Sequence, residues 1–171
     1  SSYSFKETNM TNRDFFIQRL EAETPAMLKV IRALPAGKLE YRPHPRSRSA
    51  GELVAVLAAE AAGCVEMCAK GEINWAEPKG ATATEQAATD YERLQKEFVE
   101  LLRKVDESTW NNKKIPLLMG GQKVHEGTLS GLSWEMLFDA VHHRGQLSTY
   151  IRPMGGKVPS IYGPSADDAG M

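Results

Sequence analysis

The run Asp139-Ala140-Val141-His142-His143-Arg144-Gly145-Gln146-Leu147-Ser148-Thr149-Tyr150-Ile151-Arg152 holds two of the four histidines of a 171-residue chain. On a helix, residues four apart stand one above the other, so Asp139 and His143 share a face that Gln146, Leu147 and Tyr150 continue. A carboxylate stacked over an imidazole is half of a metal site. His142 points about 100° away, beside Phe138, Gly145 and Thr149, which is a packing or interface position.

An open metal centre needs a second helix to supply the other half. Glu60 is the charged member of an otherwise apolar stripe, Leu53, Val56, Leu57, Cys64 and Met67. Such a carboxylate either reaches solvent at an edge or is held inside by a metal or a histidine. Helical side chains lean toward their N-terminus, so the Glu60 carboxylate lies over the turn carrying Val56. Glu60, Asp139 and His143 would form a hard donor set, two carboxylates and one imidazole, suited to zinc, manganese or iron. The alternative is a buried polar contact in which Asp139 simply accepts a hydrogen bond from His143.

Four long helices must position these groups. The first spans about Asn12 to Leu34, opened by Thr11 or Asn12, with Phe16, Leu20, Met27, Ile31 and Leu34 as its buried stripe and a kink expected at Pro25. Ser49 and Glu52 form a capping box that opens the second, which runs to about Lys70. The third, Glu85 to Val105, carries Ala87, Tyr91, Leu94, Phe98, Leu101 and Val105 at helical spacing. From Asp106 to Gly131 the period breaks, and a loop or short hairpin turning at Gly120-Gly121 is expected, with His125 near its tip as part of a lid or of an ordinary connection. The last helix runs from about Ser133 to Arg152, with Trp134, Leu137, Phe138 and Val141 facing the core, and the tail beyond Lys157 is expected to lie along the helices before fraying. Gly145 inside this helix costs about 1 kcal/mol relative to Ala, which implies close approach of another helix or a second subunit. Between the first two helices, Tyr41 to Arg48 sets Arg42, Arg46 and Arg48 before a helix N-terminus. This is either a solvated loop or a place for the anionic end of a substrate, with Tyr150 as a further substrate contact.

The sequence His142-His143-Arg144-Gly145-Gln146-Leu147, continuing to Tyr150 and Arg152, is followed by Met154-Gly155-Gly156 and by Val158-Pro159-Ser160-Ile161-Tyr162-Gly163. Together with Ser49-Ala50-Gly51-Glu52-Leu53, it resembles the DinB-like (DNA-damage-inducible, YfiT-like) superfamily of metal-binding proteins over nearly the whole chain. The resemblance implies an all-α, up-down four-helix bundle, one domain over 1–171, with a long connection between helices 3 and 4. It also implies a homodimer formed through helix faces. The usual three-histidine site of that superfamily falls on Val56, Asp139 and His143, so the metal site between helices 2 and 4 is degenerate. The implied cofactor is a divalent ion (zinc, nickel, manganese or iron). The implied activity is that of a metal-dependent hydrolase or thiol transferase acting on a small molecule or thiol. The alternative, argued by Val56, is a metal-free small-molecule-binding or stress-associated protein that keeps the fold.

Composition narrows the classes further. With 21 basic and 22 acidic residues, nothing draws the whole molecule to nucleic acid or anionic lipid. No apolar run is long enough to span a bilayer, and Ser1 to Glu7 lacks the apolar core of a secretory signal, so a cytoplasmic protein is expected. Cys64 and Cys68 sit four apart on one helix, a spacing for core packing in a reducing compartment.

Overall fold

The computed structural model describes residues 9–171, and the reading of Ser1 to Glu7 lies outside them. Helix α1 (Asn12–Ala33) starts where the Thr11 side chain accepts from the Asp14 amide, and it continues through Pro25. Helix α2 (Ala50–Ala69) opens on the expected capping box. The Glu52 amide donates to Ser49 Oγ at 3.1 Å and the Ser49 amide to Glu52 Oε2 at 2.6 Å, so two otherwise orphaned donors are satisfied reciprocally. That bond from Ser49 holds the Glu52 carboxyl below its ordinary range. Strand β1 (Ile73–Trp75) follows, then α3 (Thr84–Leu102), the short α4 (Glu107–Asn112), β2 (Lys114–Met119), β3 (Gln122–Thr128) and α5 (Leu129–Ile151).

The expected all-α, up-down bundle is corrected on two counts. First, the described residues contain five helices and a three-stranded sheet of order β1-β2-β3. β1 runs parallel to β2, which runs antiparallel to β3. The hairpin turns at Gly120 and Gly121, whose φ values of 56° and 80° suit glycine. β1 escaped the sequence reading because it has three residues and pairs with a strand some forty positions later. Its one fully buried side chain, Ile73, packs with Trp110 and Ile115.

Second, the long helices do not alternate. Arg32 at the end of α1 pairs with Glu85 at the start of α3, and Arg103, just past α3, pairs with Glu21, so α1 and α3 are antiparallel. Tyr150 near the end of α5 donates to the Arg48 carbonyl just before α2, so α2 and α5 are antiparallel too. The Ala81 amide donates to the Gly51 carbonyl at 2.9 Å, which shows that the chain leaving α2 returns along its whole length before α3 begins. α2 and α3 are therefore parallel, and the order is up, down, down, up. A helix of twenty residues is about 30 Å long, which fourteen extended residues span with slack at about 3.3 Å each. A Cβ on Gly51 would meet the Ala81 carbonyl at 2.5 Å, so this close crossing requires glycine.

Two apolar clusters fill the interior. One gathers the second half of α1 with the first half of α2 and the second half of α5, including Met27, Ile31, Leu53, Leu57, Ala61, Ala140 and Leu147. The other gathers Phe16, Leu20, Cys64, Met67, Phe98, Leu102 and Leu137. On α3 the buried side chains are Ala88, Tyr91, Gln95, Phe98, Val99 and Leu102, a stripe rotated from the one expected. Phe138, expected in the core, is 64% exposed. The tail after α5 does not fray. Asp167 accepts from Arg152 and from the Val158 amide, and Asp168 accepts from the Ser160 amide.

Candidate metal centre

Glu60 on α2 and Asp139 and His143 on α5 lie at the seam between the two apolar clusters. α2 passes from Ala61 in one to Cys64 in the other, and α5 from Leu137 to Ala140. His143 Nε2 stands 3.6 Å from Glu60 Oε1 and 3.4 Å from Asp139 Oδ2. One donor atom from each of the three residues lies within 4.8 Å of the others. Glu60, Asp139 and His143 are the trio expected from the sequence, and the fold brings them together.

The three residues differ in exposure. The side chains of Glu60 and His143 are 6% and 15% exposed, whereas that of Asp139 is 53% exposed. Burial, and then the facing Asp139 carboxyl, push the Glu60 carboxyl up to about 9. Its Oε2 is buried without a hydrogen-bond partner. A buried carboxylate oxygen with no protein donor is costly unless something else satisfies it. A cation between Glu60, Asp139 and His143 would relieve both that cost and the crowding of two carboxyls, so the donor set fits a divalent metal.

Gln146 completes the arrangement, although its role was not read from the sequence. Its Oε1 lies 2.7 Å from His143 Nδ1. With that carbonyl oxygen as acceptor, Nδ1 carries the ring proton and Nε2 turns its lone pair toward the two carboxyls. The available signal was spacing, since residues three apart on a helix are neighbours.

The other expected site residues lie elsewhere. Arg42 donates to the Ser47 carbonyl at 3.0 Å and sits 3.5 Å from Glu52, and Arg48 is paired with Glu77. Arg46 is exposed, and its amide donates to His44 Nδ1. Tyr150 is buried edge-on to Tyr41, with ring centroids 5.6 Å apart, and its hydroxyl is committed to the Arg48 carbonyl. Tyr150, through Tyr41 and the Arg48 carbonyl, joins the α1–α2 loop to α5. Val56 is buried. His142 and His125 are exposed, the latter within β3 and 3.9 Å from Glu135. Gly145 has open space where a Cβ would stand, so no helix among the described residues approaches it. Both cysteines are free, with the buried Cys64 thiol raised and that of Cys68 pushed up to about 12 by burial. Neither is activated as a nucleophile.

The family model described as the DinB family matches residues 8–170. The chain belongs to the DinB family. Among solved structures, a DinB-like protein from Bacillus cereus superposes with a TM-score of 0.65 at 22% identity, covering 86% of this chain and 95% of that one. A DinB-like protein from Bacillus subtilis superposes with a TM-score of 0.63 at 16% identity, covering 84% and 93%. At these identities the likeness shows the DinB fold. No curated protein matches the chain. Among the described residues, no helix is long and apolar enough to cross a membrane.

Proposed function

We propose that this DinB-family chain is a metal-dependent enzyme of the hydrolase or thiol-transferase type, in which Glu60, Asp139 and His143 hold one divalent ion. The observation that carries the reading is the convergence of three donor atoms within 4.8 Å at the seam of an apolar interior. A metal bound there would lower the pKa of a coordinated water or thiol and so supply a nucleophile near neutral pH. The protein's own part is orientation and shielding from water. Gln146 holds the His143 ring with Nε2 toward the carboxyls, and the apolar clusters on both sides keep bulk water from the buried ligands. Glu60 Oε2, buried and without a protein donor, is an atom that a bound cation would satisfy. A small-molecule or thiol substrate and a homodimer belong to the same reading, the latter open to sedimentation analysis.

A second reading rests on the raised Glu60 carboxyl. Protonated, it is a donor, and the trio then closes as a metal-free polar contact inside a small-molecule-binding protein of the same fold. Elemental analysis of protein purified without chelator or histidine tag, beside the Asp139→Ala and His143→Ala variants, separates the two. Near-stoichiometric zinc, nickel, manganese or iron that is lost in both variants supports the enzyme. No metal in the parent, even after incubation with each ion, rules it out.

A further inference from the structure

Of the three ligands, only Asp139 reaches solvent substantially. A molecule approaching the trio from outside therefore meets Asp139 first. Asp139 is also a wall residue of an open cleft of about 530 Å³ between α5 and the β2–β3 hairpin. Its α5 wall is the outward stripe Glu135, Phe138, Asp139 and His142, at spacings of three and four. Leu132 and Met136 add apolar surface, and His125 faces across from β3.

Charge then selects among ligands. The cleft wall contains two carboxylates, Glu135 and Asp139, two histidines, His142 and His125 (the latter 3.9 Å from Glu135), and no lysine or arginine, so with the histidines neutral an anionic molecule entering it meets like charge. Two of the three arginines that might have drawn an anion are paired before α2, Arg42 with Glu52 and Arg48 with Glu77, and none of the three lines this cleft. The apolar part of the wall is aromatic at its edge. Phe138 stacks on Trp134 with ring centroids 5.8 Å apart and planes inclined by 29°, and it remains largely exposed. That face is a platform for a flat apolar body or for a cation over a ring.

We infer that the cleft between α5 and the hairpin is the substrate entrance, and that it takes a small molecule with an aromatic or aliphatic body and a cationic head group. The body lies on Phe138, and the head group is drawn to Glu135, one helical turn from Asp139 at the edge of the trio. Its role as an entrance rests on the proposed metal site, whereas the preference for a cation rests on the cleft wall alone.

The test compares benzylamine, benzyl alcohol and benzoate by calorimetry and by tryptophan fluorescence, since Trp134 underlies the platform. Metal-free and zinc-loaded protein are both titrated. Benzylamine is expected to bind about tenfold or more tighter than benzoate, with benzyl alcohol between them. Phe138→Ala should weaken all three ligands, and Glu135→Gln, an exposed conservative change, should narrow the gap between benzylamine and benzoate. Equal or tighter binding of benzoate would overturn the inference, as would binding that is lost in Arg46→Ala and untouched by Phe138→Ala. If no metal binds and the benzylamine preference persists, the metal-enzyme reading falls and the cleft's ligand class stands. If metal binds and benzoate is preferred, the reverse holds.

Discussion

Gln146 Oε1 and His143 Nδ1 lie 2.7 Å apart on one turn of α5, and that bond decides which ring nitrogen faces Glu60 and Asp139. Replacing the amide by an apolar side chain of good helix propensity leaves the helix intact but frees the ring and its tautomer. Gln146→Leu is expected to weaken divalent-metal affinity by about 10–100-fold with little change in melting temperature. Competition titration against a chromogenic chelator, run beside thermal melts, checks both halves.

Glu60 yields a prediction of opposite sign for metal and for stability. Its carboxyl titrates at about 9 in the folded chain against an ordinary 4.5. Between those values the metal-free folded state holds a proton that the unfolded chain has released, so metal-free stability falls as pH rises through that window. Glu60→Gln should remove this slope and stabilise the metal-free protein at neutral pH by on the order of 1–3 kcal/mol, while abolishing metal binding. Urea melts of chelator-treated protein across this pH range, with metal titrations of the same two proteins, read the outcome.

Arg144 is 2% exposed and donates to Glu23 Oε2 at 2.5 Å, with its guanidinium carbon 4.9 Å from the Tyr162 ring centroid. The Tyr162 hydroxyl also donates to Glu23 Oε2, at 2.9 Å, so one carboxylate ties α1, α5 and the C-terminal tail. Glu23→Gln leaves a buried guanidinium without its counter-charge and should cost on the order of 3 kcal/mol. Tyr162→Phe keeps the ring over the guanidinium and should cost about 1 kcal/mol. Chemical denaturation of the two variants should rank them in that order.

Gly145 occupies a helix interior with nothing within 4 Å of the place where a Cβ would stand. Gly145→Ala should therefore stabilise the monomer by about 0.5–1 kcal/mol. If a second subunit packs on this face, the same substitution weakens the dimer. Melts at two protein concentrations, together with sedimentation, distinguish the outcomes.

What could be read from the chain alone was governed by short-range physics. The capping box at Ser49 and Glu52, the Thr11 cap, the glycine turn at Gly120-Gly121 and the stacking of Asp139 over His143 depend on residues a few positions apart, and each appears in the structure. The periodicity of α1 also placed Phe16, Leu20, Met27, Ile31 and Leu34 correctly in the interior. Glu60 was legible as an anomaly, a charge on an apolar stripe, because burying a carboxylate demands a reason. The parallel course of α2 and α3 depended on where the Gly80-Ala81 segment docks on Gly51, a contact thirty positions apart with no local signature. The pairing of β1 with β2, the rotation of the α3 stripe and the exposure of Phe138 depended on the same kind of distant partner. The arginine cluster illustrates the limit most directly. Local sequence placed three cations before a helix N-terminus, but the fold supplied Glu52 and Glu77 as partners for two of them, and that depended on residues the loop does not contain.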